Sequence, residues 1–168
     1  MMNVEFKARC NNHKHIKKVL KEYDARFEGI DHQTDIYFKV NNGRLKLRKG
    51  NIENALIYYS RENIKGIKPS HFTLYQSKNL EELEQLLRAA CGVLIIVKKK
   101  REIFYINNIK FNLDEVNGLG TFVEIEAFTN DPKQIEVLKK EVQHFMKLFN
   151  ISSENLESHS YSDLLLGK

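Results

Sequence analysis

From Val4 to Arg9 apolar and charged residues alternate one by one, with Val4, Phe6 and Ala8 on one parity and Glu5, Lys7 and Arg9 on the other. Successive side chains of a strand point to opposite faces, so residues 2–10 read as a strand with one apolar and one charged face. The same period returns at Arg44–Lys49, where Arg44, Lys46 and Arg48 oppose Leu45 and Leu47. It returns within Val93–Ile106, where Lys99 and Arg101 share a face, and at Ile109–Val116, where Asn112 and Asp114 oppose Phe111 and Leu113. In Thr121–Phe128, Glu124 and Glu126 oppose Val123, Ile125 and Ala127. Further strands are expected over residues 25–40, Leu56–Arg61 and His71–Ser77. Asn41-Asn42-Gly43, Asn107-Asn108 and Gly118-Leu119-Gly120 are the turns between them. Helical spacing takes over after Asn12 (Ile16, Val19, Leu20, Tyr23) and between Asn79 and Gly92 (Leu80, Leu83, Leu86, Leu87). A third helix is capped by Asp131, opened by Pro132 and runs to about Phe149, and a short helical turn is expected near Asp163–Leu166.

About eight strands joined mostly as antiparallel hairpins, with helices inserted between them, predict an α+β fold. If the sheet closes into an eight-stranded antiparallel barrel, its apolar faces pack under helices on the outside and its charged faces look into a tunnel. At 168 residues the chain is expected to form one domain, residues 1–168. A composition of 42% hydrophobic and 29% charged residues fits a globular protein. No apolar run approaches the roughly 18–20 residues that cross a membrane, and the N-terminus lacks a signal-peptide pattern, so a cytoplasmic location and no membrane partner are expected. Cys10 and Cys91 are too few for a disulfide framework or a zinc site. The net charge of +5 suits an anionic partner without choosing which.

Any one charged row is explained by a half-solvated sheet. Taken together the rows carry few Thr, Ser or Gln among their charges, and their signs are segregated, with carboxylates on the last strands and bases on the middle ones. Charges facing one another in a lumen cost several kcal/mol each unless paired, metal-bound or covered by a ligand. Converging Lys and Arg suit a linear polyphosphate, and a carboxylate cluster beside them suits Mg²⁺ or Mn²⁺. A triphosphate and a hard metal together imply phosphoryl or nucleotidyl transfer. The basic run Lys98–Arg101 is split between two faces of a strand, which argues against a nucleic-acid partner. The oligomeric state is open, a homodimer included.

At these residues the sequence resembles the CYTH superfamily, the triphosphate tunnel metalloenzymes, which include class IV adenylyl cyclases and thiamine or inorganic triphosphatases. The matching segments run in order along nearly the whole chain: Val4 to Lys7, Gln33 to Phe38, Gly43 to Arg48, Leu56 to Arg61, Val97 to Arg101, Leu113 to Val116 and Gly118 to Glu126. The central segments are most similar to the class IV adenylyl cyclase branch. The resemblance implies that Lys7, Lys46, Arg48, Arg61, Lys99 and Arg101 bind phosphates and carry the catalysis, with Arg9 beside them on the substrate, and that Glu5, Asp114, Glu124 and Glu126 hold Mg²⁺ or Mn²⁺. The substrate would be a nucleoside triphosphate or another triphosphate. The family's Glu-x-Glu-x-Lys signature has Asn3 in place of its first Glu, which puts one metal position in question. Lys110 stands where relatives often have Arg, and Ser160 and Tyr161 are candidates to close one tunnel mouth. Three activities are compatible with this picture: cyclisation of ATP, hydrolysis of a terminal phosphate, or non-catalytic sensing of a nucleotide or polyphosphate.

Overall fold

Eight strands close edge to edge. The computed structural model describes residues 2–60, 63–77 and 79–167. Its strands are β1 (Met2–Arg9), β2 (Arg26–Phe38), β3 (Arg44–Lys49), β4 (Ala55–Ser60), β5 (Lys68–Tyr75), β6 (Val93–Ile106), β7 (Ile109–Val116) and β8 (Gly120–Thr129). They form a closed barrel in the order β1-β5-β4-β3-β2-β6-β7-β8, and every pairing is antiparallel. The helices are α1 (His13–Glu22), α2 (Leu80–Cys91), α3 (Ile135–Leu148) and a short α4 (Tyr161–Leu165). No helix among the described residues is long and apolar enough to cross a membrane.

The alternation explains closure. Val4, Phe6 and Ala8 of β1, Phe111 and Leu113 of β7, and Val123, Ile125 and Ala127 of β8 face outward into one core. That core is completed by Ile16, Val19 and Leu20 of α1 and by Leu138, Val142 and Phe145 of α3. A smaller core forms where Leu87 of α2 meets Ile36, Phe38 and Leu47 on β2 and β3. The apolar face of β1, β7 and β8 and part of that of β2 and β3 are thus covered from outside, and the charged face is left with the lumen.

Local signals set the element ends. Asn12 accepts from His15 N at 3.2 Å and Asn79 from Glu82 N at 3.2 Å, each satisfying an orphan amide of a first helical turn. Asp131 caps a 3-10 turn, Pro132–Gln134, and α3 proper starts at Ile135, later than the expected Pro132. In the β2–β3 hairpin, Gly43 has φ +66°, a conformation that favours glycine. The expected fifth strand began at His71. It begins at Lys68, because Lys68, Pro69 and Ser70 pair with β1 before His71 to Tyr75 pair with β4. A proline reads as a strand boundary, and Pro69 hid that extension.

Candidate active site in the barrel lumen

The inward parity of the strands gathers charge around a cavity of about 530 Å³. Lys7 and Glu5 of β1, Lys46 and Arg48 of β3, Lys99 and Arg101 of β6 and Glu124 and Glu126 of β8 all line it. They are expected site residues, and each lysine and arginine among them is at least nine-tenths buried. Neighbouring Lys98 and Lys100 turn outward and are more exposed, which confirms the split of the basic run.

Two expected residues stand apart. Arg9 lies at the exposed end of β1, donates to Leu119 O at 3.1 Å and stacks on Phe122, away from the cavity. Asp114 is fully buried beneath the cavity wall, where both its oxygens accept from Arg101 at 2.7 and 2.6 Å and Oδ2 also accepts from the Tyr161 hydroxyl at 2.7 Å. Three donors engage its oxygens, so in this structure Asp114 orients Arg101. Arg61 lies outside the described residues.

Lys46, Arg48 and Lys99 are held by carboxylates that strand alternation had not singled out. Asp35 on β2 accepts from Arg48 Nε and Nη2 at 2.8 Å each, from Lys46 at 2.9 Å and from Lys99 at 3.3 Å. Burial opposes ionisation of Asp35, yet Arg48, Lys46 and Lys99 outweigh it and hold the carboxyl well below the usual range. Glu53, on the β3–β4 loop, accepts from Arg48 at 2.9 Å and pairs with Lys110 of β7. The loop is fixed by buried Asp31, which accepts from the backbone amides of Ile52 (3.0 Å) and Glu53 (2.9 Å). Any Cβ on Gly50 would sit 2.5 Å from Asp31 Oδ1, so the loop passes over that carboxylate only with glycine there. Asp35 and Glu53 thus add to the expected segregation of signs: Lys46, Arg48 and Lys99 are neutralised by an acid of β2 and one of a loop, whereas Arg101 is neutralised by Asp114 of β7 and Glu124 of β8.

At one end of the barrel α4 seats the tail. Ser160 caps it, accepting from Asp163 N at 3.1 Å, and Asp163 pairs with Arg44 at 2.6 Å. Tyr161 is buried, with Lys7 Nζ 4.1 Å and Lys99 Nζ 5.1 Å from its ring centroid, so Ser160 and Tyr161 border the cavity at this end. Burial, followed by the neighbouring Arg101, lowers the Lys99 pKa to about 7. An arriving polyanion would favour its protonated form.

Glu5 and Glu126 are direct cross-strand partners on the inner face. Asn3 Nδ2 donates to Glu5 (3.1 Å) and Glu126 (3.4 Å), and Asn112 Nδ2 donates to Glu126 at 3.0 Å. The two amide oxygens, Asn3 Oδ1 and Asn112 Oδ1, are buried without a hydrogen-bond partner. Amide orientation is set by its neighbours, and turning either amide would aim an oxygen at the carboxylates, which is favourable with a cation between them. Among the described residues no three His, Cys, Asp or Glu side chains form a ready-made metal cage. Mg²⁺ characteristically uses one or two carboxylates and completes its shell with water and substrate phosphate. The oxygen donors present fit such an ion.

Comparison with known proteins agrees with this architecture. A Methanocaldococcus jannaschii protein whose name carries a provisional adenylate cyclase assignment is 25% identical over 98% of both chains. A solved Pyrococcus horikoshii structure is 28% identical, with a TM-score of 0.76 over 96% of this chain and 98% of its own. A Hippeastrum protein named provisionally as an adenylyl cyclase, and described as having a dominant triphosphatase activity, shares the fold at 17% identity and TM-score 0.57, over 99% and 96% of the two chains. The CYTH domain model matches residues 1–161, and the chain belongs to the CYTH family.

Proposed function

We propose that the chain is a metal-dependent enzyme that draws a triphosphate into the barrel and, in the class IV adenylyl cyclase manner, converts ATP to cyclic AMP and pyrophosphate. The observation that carries this reading is the convergence of Lys46, Arg48, Lys99 and Arg101 on one cavity whose other wall bears Glu5, Glu124 and Glu126. Entering phosphates would take over Lys and Arg donors now shared with Glu53 and Glu124, and Arg48 and Arg101 can grip phosphate oxygens with two donors each. Glu5 and Glu126, with Glu124 beside them, would hold Mg²⁺ or Mn²⁺. That ion would neutralise phosphate charge and lower the pKa of an attacking hydroxyl. Asp114 and Asp35 hold the guanidinium groups in place before substrate arrives.

In cyclisation the ribose 3′-oxygen bonds to the α-phosphorus, the bond from that phosphorus to the α,β-bridging oxygen breaks, and the hydroxyl proton leaves to solvent. The local sequence likeness to the cyclase branch and the name of the archaeal relative favour this reaction. The Hippeastrum neighbour shows that the fold also admits hydrolysis, in which water attacks a terminal phosphorus. Incubating the protein with Mn²⁺ or Mg²⁺ and ATP, tripolyphosphate or thiamine triphosphate, then resolving products, separates the two. Cyclic AMP with pyrophosphate is the expected result. Orthophosphate alone would replace cyclisation by hydrolysis, and binding without turnover would make the chain a sensor.

A further inference from the structure

The charged lumen has one neutral wall. Six strands offer charged side chains to the interior, whereas the inward positions of β4 and β5 that border the cavity are Ala55, Ile57, Tyr59, Ser70, Phe72 and Leu74. The charged inward residue of β5, Lys68, donates instead to the carbonyls of Ile64 and Ser158 and does not border the cavity. Phe128 at the end of β8 extends the neutral wall, its ring centroid 6.0 Å from that of Phe72 in an edge-to-face pair. The part of this wall formed by Leu74 and Phe128 lies at the end framed by the β3–β4 loop and the C-terminal ends of β5 and β8, whereas Tyr59, with Ile57 and Phe72 against it, reaches the core that contains Tyr161 of α4. Leu74 there is 48% exposed and Ile52 36% exposed, so these apolar groups are not consumed by core packing. Uncharged Asn54, Gln76 and Ser77 rim them.

A bare polyphosphate gains nothing from such a surface, because its oxygens are strongly hydrated and need donors along their whole length. A ligand that is anionic at one end and flat and apolar at the other matches the cavity at both ends. Pockets of roughly 300–1,000 Å³ with an apolar wall and a few neutral polar groups are the usual seats of organic ligands. We propose that the β4–β5 wall, with Phe128, seats the heteroaromatic group of the substrate, and that the chain therefore takes a nucleoside triphosphate in preference to inorganic tripolyphosphate. The inference rests on the reading of the tunnel as a triphosphate site. It adds which wall selects the organic group, and it names Phe72 and Leu74 as residues that determine specificity.

The test is calorimetric titration of ATP and of tripolyphosphate in EDTA, where metal-dependent turnover is stopped, into the wild-type protein, Phe72→Ala and Leu74→Asn. Loss of one aromatic contact to a base should weaken ATP binding roughly tenfold in Phe72→Ala. Leu74→Asn should weaken it less, and neither change should move tripolyphosphate affinity. Leu74 is half-exposed, so its variant decides the matter if Phe72→Ala does not fold. ATP binding that is unmoved by both changes, or parallel loss of both ligands in a folded variant, overturns the inference. So does wild-type protein that binds tripolyphosphate more tightly than ATP. A wild-type protein that binds neither, both in EDTA and with Ca²⁺ in place of the catalytic metal, overturns the tunnel reading itself, a distinguishable failure.

Discussion

Glu126→Gln should reduce metal-dependent turnover by roughly 10²–10³-fold, the scale seen when one group that offsets transition-state charge is removed, while thermal unfolding stays close to wild type. The residue lines the cavity and stands directly opposite Glu5 across β1 and β8. Its replacement keeps the shape and one of the two hydrogen bonds from Asn3 and Asn112, and the other Asn can turn its free amide oxygen to accept from the new amide nitrogen, but the charge that a divalent cation needs is removed. A shift in the Mn²⁺ concentration needed for half-maximal turnover should accompany the loss. Turnover and metal dependence equal to wild type would remove Glu126 from the metal site.

Asp35→Ala should cost about 3–5 kcal/mol of stability, the range for breaking a buried ion pair from one side and a large part of the ~5–15 kcal/mol that typical domains possess. Asp35 is 1% exposed and is the shared carboxylate of Lys46, Arg48 and Lys99. Without it Arg48 keeps Glu53, but Lys46 and Lys99 lose the carboxylate that neutralises them in a buried wall. The pH dependence has a definite sign. The folded carboxyl is held well below its ordinary value by these cations, against the cost of burial. Its contribution is therefore fully present above about pH 4, where the unfolded carboxyl is ionised, and is lost as pH falls through the depressed folded value. Urea unfolding at neutral pH and at progressively lower pH should show the gap between wild type and Asp35→Ala shrinking in acid. A neutral-pH gap under about 1 kcal/mol, the scale of solvent-screened pairs, would mean that the cluster is solvated.

The barrel was legible because alternation is a local property: β3 and β7 follow their charged and apolar parities, while β6 was bounded by Gly92 and by the Asn107-Asn108 turn. Lys46, Arg48, Lys99, Arg101, Glu124 and Glu126 reach the lumen for the same reason. What alternation does not contain is which charges meet across strands. Arg101 and Asp114 are register partners of β6 and β7, and only that register turns Asp114 into the orienter of an arginine. Asp35 lay within a matched segment of the sequence, but on a strand whose mixed polar residues showed no clear row. Glu53 belongs to a loop without period, and it arrives in the lumen through Asp31 and Gly50, neither of which carries a motif. Arg9 continues the parity of Lys7 but runs past the end of the cavity, since a row of like residues says nothing about where a tunnel stops.

The central claim is that one cavity holds both the phosphates and the metal. A crystal structure with Mn²⁺ and a non-hydrolysable ATP analogue, recorded at a wavelength where manganese scatters anomalously, tests it in one measurement. The predicted map has phosphate density against Lys46, Arg48 and Arg101, with an anomalous peak between those phosphates and the carboxylates of Glu5 and Glu126. Phosphate density on the outer surface of the barrel, or an anomalous peak away from these glutamates, would contradict it.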